Sequence, residues 1–301
     1  MGKNTKIEWC DHSFSSWWGC TRVSPGCAHC YAAELGNRFG VKWGSGEPRR
    51  LSSEKVWAGP VAWNKSAQQS GKRIRVFCGS MMDWADEEAP AGARTRLWSL
   101  IRNTKSIDWL MLTKRPENVP DLLPHDWRGG WDHVHLGFTA ENQLNYDRRI
   151  AIMESIPAVR RFISCEPLLG SIQLGLENWI RRGKIHQVIV GGESGREARP
   201  MHPAWARSLR DQCVAAGVPF HFKQWGEWTP GENVTDQYGE RGGKYPTKHP
   251  WDGGWTDCDD DWMTEQDHGP ILYRVGKKKA GRLLDGQEWN QFPQPIGPGN
   301  A

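Results

Sequence analysis

Apolar residues in this chain gather into short runs of strand length, each closed by small or polar residues, with helical stretches between them. The runs are SFSSWW (13–18), RIRVFCGS (73–80), DWLMLTKR (108–115), HVHLGFTAEN (133–142), RRFISCEP (160–167) and HQVIVGGES (186–194), and a seventh, VPFHFKQWG (218–226), extends the series. The second run follows a long polar connection. Amphipathic segments occupy 87–104, 143–156 and 203–217; in the last, Trp205, Leu209 and Cys213 recur every four residues and Gly217 supplies a stop. Strands alternating with helices imply parallel pairing and right-handed crossovers, so the fold class predicted is α/β, in the form of a mostly parallel (β/α) barrel.

Each run ends in residues that can do chemistry: Gly79, Ser80 and Asp83; Thr113, Lys114 and Arg115; Thr139, Glu141 and Asn142; Ser164 and Glu166; Gly191, Gly192 and Glu193; Lys223 and Gln224. Polar groups at successive strand C-termini belong on one rim of such a barrel, where its active sites lie. Beyond Trp228 the chain turns polar and Gly-rich without a period, which predicts a loop or lid with modest secondary structure. The expected division is therefore a barrel over 1–228 and a loop-rich extension over 229–301 packed on it. The stretch 271–289 reads as a strand, a basic turn carrying Lys277, Lys278 and Lys279, and a small closing element.

With 301 residues, size alone permits one large barrel or two ordinary domains. There is no apolar run near 18 residues, and the first residues lack the apolar centre of a signal peptide, so the expectation is a cytoplasmic protein with no membrane partner. Eight cysteines, unevenly spaced, argue against a secreted disulfide scaffold. A net charge of +4 permits a polyanionic partner without demanding one. The 19 tryptophans fit core and pocket lining better than base-stacking platforms.

Three of the cysteines, Cys20, Cys27 and Cys30, form a C-x6-C-x2-C cluster within GCTRVSPGCAHCY. A [4Fe-4S] cluster takes one thiolate per iron, so three thiols leave one iron open for an outside ligand such as the amine and carboxylate of S-adenosylmethionine. Structural zinc, with Cys10 or His12 as the fourth ligand, is the alternative. His29, between two of the cysteines, is less suited to reach the same ion.

In order along the chain, GCTRVSPGCAHCYA, RVFCGSMMD, LMLTKRPEN, HLGFTAEN, FISCEPLLG, VIVGGESG, HPAWARSLRDQC, PFHFKQWGEW and GKKKAGRLLDG resemble the phage-associated three-cysteine proteins placed in the radical SAM superfamily. That family carries no established substrate. The resemblance implies a partial (β/α)6-type radical SAM barrel with a C-terminal extension. It also implies a [4Fe-4S] cluster, S-adenosylmethionine as cofactor, and an external one-electron reductant of the flavodoxin or ferredoxin type. The chemistry implied is reductive cleavage of the sulfonium, followed by hydrogen abstraction from a substrate. Six residues separate the first cysteine pair here, against three in the superfamily's commonest pattern, and Pro25 and Gly26 suit a wider turn.

The literal GGE at Gly191, Gly192 and Glu193 follows the sixth strand, not the second, so it does not correspond to the superfamily motif of that spelling. In spore photoproduct lyases, which the chain resembles more closely in this respect, a serine takes that motif's place. By strand order Ser80 is then expected to meet the methionyl amine, Lys114 the carboxylate, and Thr139 the ribose, with Asn142 assisting. Glu141, Gly191 and Gly192 are further candidate cofactor contacts. Glu166, Glu193 and Lys223 are candidate catalytic or substrate-binding residues, and Trp17, Trp18, Trp84 and Trp225 candidate walls of an aromatic cavity. The same likeness points to a nucleic-acid base or nucleotide as substrate, to be modified or repaired. A peptide or small metabolite is the alternative substrate, and a zinc-stabilised nucleic-acid-binding protein without catalysis is the alternative function.

Overall fold

A computed structural model describes residues 2–175, 185–234, 245–251, 254–257 and 269–294. In chain order the first elements are β1 (Gly2–Lys3), β2 (His12–Phe14), β3 (Trp17–Trp18), α1 (Tyr31–Arg38), β4 (Arg50–Leu51), α2 (Glu54–Ser70) and β5 (Ile74–Cys78). There follow α3 (Ala93–Asn103), β6 (Ile107–Thr113), α4 (Val119–Leu122), β7 (Val134–Thr139), α5 (Gln143–Ser155), β8 (Arg160–Cys165) and β9 (Gln187–Gly191). The last are α6 (Pro203–Ala216), β10 (Phe220–Gln224), β11 (Trp228–Pro230), β12 (Thr247–Trp251), β13 (Gly254–Asp257), β14 (Leu272–Arg274) and α7 (Lys277–Ala280).

The main sheet runs β1-β2-β5-β6-β7-β8-β9-β10. Every pair from β2 to β10 is parallel and only β1 is antiparallel, which makes a mixed α/β half-barrel. Alternation along the strands sorts the two faces. Val76, Cys78, Trp109, Met111, Leu136, Phe138, Ile163, Val188, Val190, Phe220 and Phe222 join the large core beneath the helices. Phe77, Leu110, Phe162 and Ile189 point to the opposite, concave side, where Trp9 and Cys10 fill the middle. The remainder of that side is left for polar residues at the strand ends.

Local signals explain the helix ends. Asn142 caps α5 by accepting from the Asn145 amide at 3.0 Å. His202 caps α6 ahead of Pro203, and Gly217 ends it with φ 65°. Helix α2 replaces the polar connection expected ahead of β5: its Pro60 and sparse apolar stripe conceal it in the sequence, although Gly71 stops it in the left-handed conformation. The expected first strand divides, His12–Phe14 entering the main sheet while Trp17–Trp18 pairs with Arg50–Leu51.

The stretch after Trp228, expected as loop or lid with modest secondary structure, is described in part. Among the described residues this part forms a four-stranded antiparallel sheet, β11-β14-β12-β13; the lid reading for 235–244, 252–253 and 258–268 lies outside the described residues. The basic turn at 277–280 is one helical turn. The tail then returns to the main sheet, where Asn290 bridges His221 and Phe222 donates to the Trp289 carbonyl at 2.9 Å. It closes the N-terminal end of the half-barrel: Arg160 donates to the Gln294 carbonyl, Gln187 to that of Gln291 at 3.1 Å, and the Arg75 guanidinium lies 3.7 Å from the Phe292 ring centre. Among the described residues no helix is long and apolar enough to cross a membrane.

Candidate functional site

The three cysteines sit on the loop between β3 and α1, which tightens into a 3-10 turn at Pro25–Cys27, and Cys30 occupies the cap position of α1. Three strand ends hold this loop from below. After β6, Arg115 donates to Cys20 Sγ at 3.5 Å and to the Thr21 carbonyl at 2.6 Å. After β7, Glu141 accepts from Ser24 Oγ and pairs with Arg149 at 2.6 Å; both charged groups are buried, Glu141 completely. After β9, Glu193 accepts from Arg199 at 2.7 Å and meets His29 Nδ1 at 3.1 Å, while Arg199 donates to the Pro25 carbonyl at 2.9 Å.

Gly26 belongs to this fit. A Cβ there would stand 2.6 Å from Glu141 Oε1, so only glycine lets the loop descend onto the carboxylate. Burial pushes the Glu141 carboxyl up, but Lys114, Arg149 and the Ser24 hydroxyl outweigh it and hold it below the ordinary range. Glu193 behaves alike, its burial offset chiefly by Arg199.

Cys20, Cys27 and Cys30 line one cavity of about 170 Å³ at the C-terminal ends of the strands. Ser80 from the end of β5, Lys114 from β6, Thr139 from β7, Ser164 and Glu166 from β8, and Lys223 from β10 line it too. Lys114 Nζ donates to Thr139 Oγ1 at 3.2 Å, and Tyr31 OH donates to the Ser80 carbonyl at 3.1 Å. Lys223 Nζ is 2.7 Å from Glu166 Oε1, and Ser164 donates to Glu166 Oε2 at 3.2 Å. Burial pulls the Lys223 ammonium down, yet Glu166 outweighs it and leaves the value raised.

The other sequence candidates fall elsewhere. Glu141 and Glu193 grip the cysteine loop and do not line the cavity. Asn142 spends its side chain on the α5 cap. Gly191 and Gly192 also lie off the cavity wall: a Cβ on Gly192 would fall 1.8 Å from the Trp225 carbonyl oxygen, and one on Gly191 2.9 Å from Glu166 Oε1. Gly192 permits close backbone packing, and Gly191 leaves room for the Glu166 side chain. Trp17, Trp84 and Trp225 are core residues; the aromatic wall is made by Trp9, Tyr31, Trp43 and Phe77. Position in a strand end does not reveal which tryptophans turn inward, so sequence reasoning missed this wall and the clamps by Arg149 and Arg199.

The donor set can be tested against the two groups the sequence suggests. Among the described residues no three His, Cys, Asp or Glu side chains converge closely enough to hold a single ion. Cys10 is buried among apolar side chains, its Sγ 3.8 Å from the Ile7 carbonyl, with burial pushing the thiol up to about 12. Neither Cys10 nor His12 comes together with the three cysteines in a group able to hold one ion, so among the described residues neither completes a zinc site. Three free thiols spaced around one cavity instead suit a group that takes one sulfur per iron.

Fold and site together define an α/β half-barrel protein with a thiol-lined cavity at the C-terminal rim of its strands. The chain belongs to the family described as Protein of unknown function (DUF5131), which matches residues 4–293. No curated protein matches the sequence. Among solved structures it is similar to a spore photoproduct lyase double mutant with bound AdoMet and dinucleoside spore photoproduct, at 14% identity and TM-score 0.43, covering 75% of this chain and 59% of that one. It therefore spans about three-fifths of that protein's length. It is also similar to a spore photoproduct lyase complexed with dinucleoside spore photoproduct (12%, TM-score 0.43) and to a cysteine-to-serine mutant (13%, TM-score 0.44), each covering 87% of this chain and 72% of that one.

Proposed function

We propose that this protein is a radical SAM enzyme acting on a nucleic-acid base or nucleotide. Cys20, Cys27 and Cys30 would hold a [4Fe-4S] cluster, and Ser80, Lys114 and Thr139 would hold S-adenosylmethionine. When bound, the cluster supplies an open iron and one electron for cleavage of the sulfonium. The reading is carried by one observation: all three thiols and the polar ends of five strands line the same cavity.

The chain's own residues do the placing. Lys114 and Thr139, 3.2 Å apart, offer an ammonium and a hydroxyl suited to a carboxylate and a ribose. Lys223 and Glu166 form a charge pair on the same wall, able to give a hydrogen bond to a carbonyl and take one from an N–H of the substrate. Trp9, Trp43 and Phe77 keep water from the reacting centre. An external one-electron reductant of the flavodoxin or ferredoxin type completes the system.

The test is anaerobic reconstitution with iron and sulfide, followed by dithionite and S-adenosylmethionine. The parent chain is expected to produce 5'-deoxyadenosine and Cys27→Ala to produce none. A variant as active as the parent, or a purified chain carrying one zinc and no iron, would overturn the reading.

A further inference from the structure

We infer that Arg115 is a positioning residue that sets the reduction potential of the bound cluster through Cys20. This rests on the cluster reading proposed above. Arg115 is 5% exposed and follows β6, where its guanidinium cannot swing. Asp83 anchors it at 3.0 Å, and Asp83 is itself fixed by the Thr113 hydroxyl at 2.7 Å and the Lys114 amide at 2.9 Å. A second carboxylate, Asp86, lies 4.0 Å away.

From that anchor one arm reaches Cys20 Sγ at 3.5 Å and the other the Thr21 carbonyl at 2.6 Å. The Cys20 sulfur is also 3.4 Å from that carbonyl, an acceptor for which a metal-bound sulfur has no proton. Arg115 thus donates to both atoms and keeps two electron-rich groups side by side. Two of the sulfurs are treated unequally: among the described residues Cys27 meets the neutral Ser24 hydroxyl at 3.7 Å, whereas Cys20 meets a guanidinium whose charge offsets the nearby Asp83 and Asp86 carboxylates.

Reduction adds one electron to the cluster and makes its sulfurs more negative. A hydrogen-bond donor and a cation beside one sulfur stabilise the reduced form more than the oxidised form, and little solvent is present to screen the effect. Lysine, a point charge, can pair with Asp83 or approach the sulfur but cannot bridge sulfur and carbonyl as the planar fork does.

The experiment is a redox titration followed by electron paramagnetic resonance on the reconstituted full chain, with neither S-adenosylmethionine nor substrate present. Arg115→Gln is expected to leave about tenfold less reduced cluster at a fixed potential, which for a one-electron couple is a shift of about 59 mV to the negative. Arg115→Lys is expected to shift in the same direction by less. A cluster-bearing Arg115→Gln with the parent potential overturns the inference; if that variant fails to fold, a parent-like Arg115→Lys does so. A parent chain that binds no four-iron cluster overturns the cluster reading itself and this inference with it, a result distinct from an unchanged potential.

Discussion

Replacing Glu141 by glutamine keeps the shape of the side chain and removes its charge from a place that solvent does not reach. The Arg149 guanidinium, 2.6 Å away and 6% exposed, then loses its counter-charge, although it keeps its bond to the Thr139 carbonyl at 2.7 Å. Breaking a buried pair from one side costs about 3–5 kcal/mol, and because glutamine still accepts one bond the lower figure, about 3 kcal/mol, applies. In a chain of this length that lowers the melting temperature by about 6 °C. Ser24→Ala removes the hydroxyl that ties the cysteine loop to the same carboxylate but leaves the ion pair, at about 1 kcal/mol, or about 2 °C.

Thermal melting of the metal-free chains measures both, and iron bound per chain after reconstitution reports whether the loop has loosened. The Glu141 carboxyl is held below its ordinary value, so the stability it adds is present at neutral pH and is lost as the pH falls through the folded value, below about 4.5. The gap between parent and Glu141→Gln should therefore close in acid. A Glu141→Gln chain that melts with the parent at neutral pH refutes the assignment of Glu141 as the buried brace of the loop.

Two further outcomes are expected. His221 is fully buried with neither ring nitrogen hydrogen-bonded among the described residues, and burial, aided by Arg282 and Arg75, pushes it down to about 3. Its folded value lies below its unfolded value, so the stability it confers is full above about pH 6.5 and drains away as the pH falls toward 3. In urea titrations at several pH values His221→Phe should raise the midpoint and flatten that acid slope; an unchanged slope counts against a neutral, unpartnered imidazole. For the substrate, short single-stranded DNA should bind the reconstituted chain with an affinity that falls steeply with salt. Absence of binding at low salt would point instead to a peptide or small metabolite.

The main sheet was legible because alternation and strand-closing polar residues are local signals. The runs at 73–80, 108–115, 133–142, 160–167, 186–194 and 218–226 each contain a strand of the half-barrel. What the sequence hid depends on partners distant along the chain. Glu141 and Glu193 sit where cofactor-facing residues belong, yet Ser24 and His29, more than a hundred positions earlier, draw them under the cysteine loop. Pro60 masked α2, and the small antiparallel sheet was masked by the Gly-rich composition of its connections. Thr139, Glu166 and Lys223 reach the cavity because each follows a residue of the helix-covered face, Phe138, Cys165 and Phe222, and so alternates to the concave side.

The return of the tail to the main sheet bears on how the protein is made. Arg160 finds the Gln294 carbonyl across 134 positions, and Phe220 finds Gln291 across 71, so the half-barrel is sealed by some of the most distant pairings in the chain. Such contacts form late, because the intervening polymer must be ordered before they hold. On the ribosome the sheet would be synthesised in full while its floor still stood open, until the segment carrying Phe292 emerged to pack against the cluster of Trp9, Phe77, Phe162 and Ile189.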